Sequence, residues 1–289
     1  MAGSLLARRS LCNIDQKGTR VLAFTAYPPA IWAILLATGV LIGLLAGLLG
    51  VGGGVLAVPV LLEVFSSLGL DEATAVVLAV GTAQASIVVA SVTAALAHWR
   101  AGTIDGPLVR AWLPALMAGT ILGLALAPWA PAKVLTGVFA VVAAALAAKL
   151  ATGDRFVLPP WTGALGQLPP VAVGALASAV GVGGGTLSTP VLLLFSFPLK
   201  RAIGAGALFN LVISLPAAAF FLAHDLGKPG RPPDALGDVA LFCVAALSLP
   251  ALFVAPVAAR WSSRAPVSLL RRLFALCLAA IALRLLLRA

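Results

Sequence analysis

The sequence predicts an all-α polytopic membrane protein. It reads as two pseudo-symmetric repeats of about five apolar segments each, with interrupted helices or hairpins at two glycine-rich stretches. Three observations predict this. Of 289 residues, 62% are hydrophobic and 10% charged, where a soluble domain carries about 25% charged residues. The runs Val21–Leu62, Ala73–Trp99, Ala111–Ala132, Phe156–Leu199, Ala202–His224 and Val239–Ala259 hold no Asp, Glu, Lys or Arg, and each suffices for the roughly 20 apolar residues that cross a bilayer core. Finally, Gly50-Val51-Gly52-Gly53-Gly54 recurs as Gly181-Val182-Gly183-Gly184-Gly185, nearly half the chain away. Each copy is followed at equal spacing by a proline, Pro59 or Pro190, and then Val-Leu-Leu, the mark of an internal duplication. A transmembrane barrel is excluded, because its strands alternate apolar and polar residues and these runs are apolar on all sides.

Residues 1–28 read as an N-terminal tail. Arg8, Arg9, Lys17 and Arg20 imitate the basic start of a signal peptide, but the apolar run that follows is too long for one and is expected to be the first span. Pro28-Pro29 opens that span, since proline is tolerated in a helix's first turn. The first membrane repeat, 29–151, then holds segments over about Ala30–Leu49, Val55–Leu68, Glu72–Ala97, Leu108–Ala127 and Ala132–Leu150. Asp71 is placed to cap the third of these, and Glu72 suits its dipole. Residues 152–169, with two proline pairs, form the inter-repeat linker. The second membrane repeat, 170–289, holds segments over about Pro170–Val180, Thr186–Phe197, Ala202–Ala223, Val239–Ala258 and Val267–Leu287.

The two halves are expected to be inverted relative to one another, as in many carriers built around interrupted helices. An inverted arrangement splits the basic residues almost evenly between the two sides, so the charge rule favours a once-crossing broken helix instead. The net charge of +10 sits on loops and segment ends, which points to lipid head groups rather than nucleic acid. Cys12, Cys243 and Cys277 have no metal-ligand or disulfide spacing; the last two read as small buried hydrophobes.

Glycine has no Cβ and lets the chain turn and a ligand approach it. A break within the membrane leaves N–H and C=O groups unpaired unless protein or a watery cavity satisfies them, and a helix that starts there turns N–H donors toward an anion. The candidate substrate-binding residues are therefore Gly52, Gly53, Gly54 and Pro59 on the first copy. On the second they are Gly183, Gly184, Gly185, Ser188, Thr189 and Pro190. Gln84 and Asn210 join them as polar side chains deep in apolar runs, which usually face the bundle interior. His98 and His224 sit at segment ends and are expected to be interfacial anchors. Gly43, Gly47, Gly119 and Gly123 are expected to serve close helix packing. No nucleophile motif or zinc-site motif is present, so no enzyme activity and no cofactor is expected.

The duplicated GVGGG-x4-Pro-Val-Leu-Leu resembles the TauE/SafE sulfite-exporter family, also called the toluene sulfonate uptake permeases. Ala79-Val80-Gly81-Thr82-Ala83 leading to Ala97-His98-Trp99-Arg100, and Ala202-Ile203-Gly204-Ala205-Gly206 leading to Asn210, fit the same pattern. The resemblance covers nearly all of residues 30–287. It implies a secondary transporter for a small sulfur-containing anion, sulfite or an organosulfonate, in the bacterial inner membrane. Where relatives often have Gly-Thr-Ser, this chain has Gly81-Thr82-Ala83 and Gly204-Ala205-Gly206, losing hydroxyls that could touch a substrate. The expected partners are that anion, the lipid bilayer, a coupling proton or sodium ion, and a second copy of the chain. The alternatives are an anion channel with a glycine-loop filter and, further off, an intramembrane enzyme.

Overall fold

The computed structural model describes residues 27–129, 137–138, 141–142, 144–145, 147–148, 163–224 and 230–286. The N-terminal tail, most of the segment expected over 132–150 and most of the linker lie outside the described residues. Helix α1 spans Pro29–Leu49, α2 Gly54–Ser67, α3 Glu72–Arg100 and α4 Gly106–Leu126. In the second half α5 spans Leu168–Val180, α6 Gly185–Leu194, α7 Leu199–Ala223, α8 Leu241–Arg264 and α9 Val267–Leu286. A two-stranded antiparallel hairpin, β1 Ala235–Leu236 and β2 Val239–Ala240, precedes α8.

Local sequence explains most boundaries. Asp71 caps α3 by accepting the Thr74 N–H at 2.9 Å, a bond that holds its carboxyl below the usual carboxylate range. Asp105 does the same for α4 with the Leu108 N–H at 3.0 Å. Helix α5 begins at Leu168, inside the last two residues of the expected linker, because Pro169 and Pro170 fit a helix's first turn. Helix α8 runs on to Arg264 rather than stopping near Ala258, its last turns leaving the apolar zone.

Five helices, α1, α3, α4, α7 and α8, are long and apolar enough to cross a membrane. Helices α2 and α6 are not. Their 14 and 10 residues reach about 21 and 15 Å, short of a hydrocarbon core of about 30 Å.

Side-chain register gives each helix a direction. Gly39, Gly43 and Gly47 of α1 lie in turn against Leu247, Ala251 and Ala255 of α8, so these two run parallel. Gly119 and Gly123 of α4 meet Val171 and Ala175 of α5, also parallel. These glycines do serve close packing, with no room for a side chain. At the centre Gly81 of α3 backs onto Phe221 of α7, while Gly204 of α7 backs onto Thr103 just past α3. Helices α3 and α7 are therefore antiparallel along their length. Helix α6 returns along α7, with Thr189 on Ala202 and Gly185 on Asn210. At the first break Gly53 packs onto Ile42, two turns back along α1. At both breaks, then, the chain reverses.

The buried apolar side chains form two main clusters that exchange helices between the halves. One joins α1, α2 and α3 with α8; the other joins α5, α6 and α7 with α4 and the start of α9. Across the second cluster Trp112 stacks on Phe209, centroids 5.7 Å apart and planes 7° apart.

The ends of α3 and α8 and the starts of α4, α7 and α9 share one end of the bundle. Lys200 donates to the Ser263 carbonyl there, and Arg201 pairs with Asp105 at 3.1 Å. The other end gathers the start of α1, the start of α3, the end of α7 and the β-hairpin, tied by Tyr27 to Asp234 and by the Asp238 N–H to the Phe221 carbonyl.

Candidate functional site

Two helices that stop inside the bundle leave unpaired carbonyls, and two that start there leave unpaired N–H groups. The structure brings all four ends together. Gly54, opening α2, lies on the Gly181 carbonyl at the end of α5. Reciprocally, Gly185, opening α6, lies on the Gly50 carbonyl at the end of α1. Gly50 and Gly181 both adopt the left-handed conformation, at φ 65° and 80°, and each returns its N–H to its own helix, at Ala46 and Ala177. A Cβ on Gly54 or Gly185 would strike the facing backbone. The matched glycines are thus explained by contact between the two breaks.

Asn210 on α7 bridges the crossing. Its Oδ1 accepts the Gly185 N–H at 2.6 Å, and its Nδ2 donates to the Gly50 carbonyl at 2.7 Å. Thr186 adds a bond from its hydroxyl to the Val51 carbonyl at 2.9 Å. One side-chain amide and one hydroxyl therefore satisfy backbone groups of both breaks, in an interior where an unmade bond is costly.

Helix α3 presents something different at the equivalent place. Ile87 follows Gly81 at the spacing by which Asn210 follows Gly204, and its Cδ1 lies by Gly54 and Gly183. The α2 N-cap residue, Gly53, offers no side chain to the helix start, and among the described residues none reaches it as Asn210 reaches Gly185. On the same face of α3, one turn either side of Ile87, stand Gln84 and Ser91. Both are fully buried, and among the described residues neither Gln84 amide atom nor the Ser91 hydroxyl has a hydrogen-bond partner. Ser214, a turn beyond Asn210, and Ser188 on α6 are likewise buried and without a partner among the described residues.

Of the residues expected at a site, Gly52, Gly53, Gly54, Gly183, Gly184 and Gly185 all lie at the crossing, with Gly52 and Gly183 both against Asn210. Gly184 packs on Phe209 and Ile213. The Thr189 hydroxyl is engaged by the Ala202 carbonyl at 3.3 Å, so of the second copy's side chains Ser188 alone keeps an uncommitted proton among the described residues. Pro59 and Pro190 lie more than a turn inside α2 and α6 and shape those helices. Ile87 was missed, since an apolar residue in an apolar run carries no local signal; only alignment of the third helices by Gly81 and Gly204 exposes it.

The histidines differ from one another. His98 is no interfacial anchor: the end of α1 covers it, its Nε2 donates to the Gly47 carbonyl at 3.0 Å, and its Nδ1 meets the Thr103 hydroxyl. His224, partly exposed, meets the buried Asp238 at 2.7 Å, and Asp238 also pairs with Arg231. Gly81 packs on the Asp238 carbonyl, so this ion pair closes the bundle beside α3. Among the described residues no group of His, Cys, Asp and Glu could hold a metal ion.

The profile of the sulfite exporter TauE/SafE family matches residues 35–285. A probable membrane transporter protein of Haemophilus influenzae is 28% identical over 258 residues, which cover 88% of this chain and 98% of that relative. A probable membrane transporter protein of Methanocaldococcus jannaschii is 27% identical over 184 residues, 59% of this chain and 64% of that one. No solved structure matches the chain.

Proposed function

Because the chain belongs to the sulfite exporter TauE/SafE family and is a multi-pass membrane transporter, we propose that it is a secondary carrier for a small sulfur oxyanion, sulfite or a small organosulfonate. The observation that carries this reading is the meeting of the two breaks, with uncommitted polar groups buried around it. An oxyanion needs donors. The start of α2, uncapped and faced by Ile87, offers backbone N–H groups at the positive end of a helix dipole. The Gln84 amide and the Ser188 hydroxyl add side-chain donors, and Gly183 and Gly184 let the anion approach the backbone. Asn210, Thr189 and Gly185 hold the frame, and Pro59 and Pro190 set the helices behind it.

The parallel pairs α1–α8 and α4–α5 and the antiparallel pair α3–α7 support an inverted relation of the repeats, with equivalent helices pointing to opposite sides. Rocking of one cluster against the other about the crossing would then open each end in turn. The end that carries Arg100, Arg110, Lys200, Arg201, Arg260 and Arg264 faces the cytoplasm of a bacterial inner membrane. Flux is driven by the anion's own gradient or by a coupled proton or sodium ion.

The test is flux of sulfite and small sulfonates into liposomes holding the purified protein, with Gln84→Leu and Ser188→Ala beside the wild type. Wild-type flux should saturate, and each variant should raise the half-saturating concentration about tenfold, the scale of one hydrogen bond to a charged ligand. Both should melt at or above the wild-type temperature, since each removes a buried unpartnered group. Absent flux, linear unsaturating flux or unchanged saturation in both variants overturns the reading.

A further inference from the structure

Helices α3 and α8 run parallel and separate near the basic end around a cleft of about 640 Å³. Arg100, Arg260 and Arg264 line it together with Thr93, Leu96 and Pro256. Among the described residues no carboxylate pairs with these three guanidinium groups. Asp105, a described acid at this end, is held by Arg201. Three planar forks, none of them held by a described carboxylate and each suited to bidentate contact with phosphate, line one opening.

What lies beside the cleft identifies the ligand's other part. On α3 Val92 and Leu96 are 45% and 47% exposed, and on α8 Phe253 and Val257 are 69% and 64% exposed. Such side chains in a spanning helix face lipid tails. From Arg100 to Thr93 is about two turns, or about 10 Å along the helix, enough to pass from the head-group layer to the start of the hydrocarbon. The cleft also faces away from the crossing breaks: Leu96 stands nine residues after Ile87, about half a turn round the helix. It is a basic, lipid-facing groove separate from the proposed transport site.

We propose that this cleft binds the phosphate of an anionic phospholipid from the leaflet at the basic end. Arg100, Arg260 and Arg264 hold the phosphodiester, while Leu96, Phe253 and Val257 lie along an acyl chain. Because α3 belongs to the first half and α8 to the second, a lipid seated here bridges helices from both repeats.

The experiment uses the full-length protein, delipidated in detergent, with added phosphatidylglycerol, phosphatidylcholine or inorganic phosphate. Lipid retention is read by native mass spectrometry and stability by the melting temperature. Phosphatidylglycerol should be retained and should raise the melting temperature by several degrees, while phosphatidylcholine should do neither. In R100Q/R260Q/R264Q the phosphatidylglycerol affinity should fall at least about tenfold, given that a basic residue near a charged surface is worth about 1 kcal/mol. The control R110Q/R272Q, which removes charge at the same end outside the cleft, should retain the lipid. Each single glutamine variant should weaken retention by a part of the triple effect, so a misfolded triple would not void the test. Equal retention of both lipids, an unaffected triple variant, or equal loss in the control overturns the proposal. So does full stabilisation by inorganic phosphate alone, which would assign the cleft to a free anion.

Discussion

Asn210 and Gly50, 160 positions apart, are joined by a hydrogen bond of 2.7 Å from the side-chain amide to the backbone carbonyl. Gly50 ends the first helix of one half, and Asn210 sits on the third helix of the other. The same amide accepts the Gly185 N–H, so one side chain satisfies backbone ends from both halves of the chain.

Replacing Asn210 by alanine strands the Gly50 carbonyl and the Gly185 N–H in the interior, at about 1–3 kcal/mol for each. The variant's melting temperature in detergent should fall by many degrees, and flux should be lost with it. An Asn210→Ala protein as stable as wild type would refute the bridging role.

The contact between breaks also predicts a contrast among glycines. Gly185→Ala has nowhere to put its methyl group, which would fall on the Gly50 carbonyl oxygen. Gly106→Ala, at the exposed start of α4, meets nothing within 4 Å. The first substitution should sharply reduce folded yield on size-exclusion chromatography and the second should not; equal yields would show that the breaks do not touch.

Orientation is open to chemical labelling. In a background lacking Cys12, Cys243 and Cys277, a cysteine at Gly106 reports the basic end and one at Ser66 the opposite end. In intact cells a membrane-impermeant thiol reagent should label the Ser66→Cys protein and spare Gly106→Cys until the membrane is opened. The reverse pattern would place the basic end outside, against the charge rule.

Tyr27 precedes α1, and its hydroxyl donates to Asp234 at 3.0 Å. Burial, reinforced by Cys243 and Asp234 beside it, holds that hydroxyl far above the usual phenol range. The folded state therefore keeps a proton that the unfolded chain releases near the ordinary value of 10.0. Its contribution to stability is complete below that pH and is lost as pH rises beyond it. Tyr27 is the chain's single tyrosine, so phenolate absorbance reports it alone. Near pH 10 to 11 the folded protein should show no phenolate step, and its melting temperature should fall more steeply than that of Tyr27→Phe. A normal phenolate titration in folded protein would contradict the buried Tyr27–Asp234 contact.

Much of the helical architecture was legible because its cause is local. The charge-free runs require helices in a bilayer, Asp71 caps the residue run that follows it, and Gly50 and Gly181 stop helices that nothing else in their runs would stop. The candidate site was half legible. Polar residues such as Gln84 and Asn210 stand out in apolar runs, but their roles diverge: Asn210 is consumed by backbone, whereas Gln84 has no partner among the described residues. His98 misled for the same reason, since a histidine at a helix end looks like an anchor until another helix covers it.

By itself the sequence determined a helical membrane protein with a duplicated, glycine-broken core, because hydropathy and the conformational freedom of glycine act within a few residues of chain. Only the tertiary structure decided that both breaks reverse the chain, that they meet, and that each is completed by groups of the other half. Those outcomes depend on which backbone ends satisfy one another across distances of more than a hundred residues. No local pattern encodes such a pairing; the cost of an unmade hydrogen bond in a lipid-bound interior selects it.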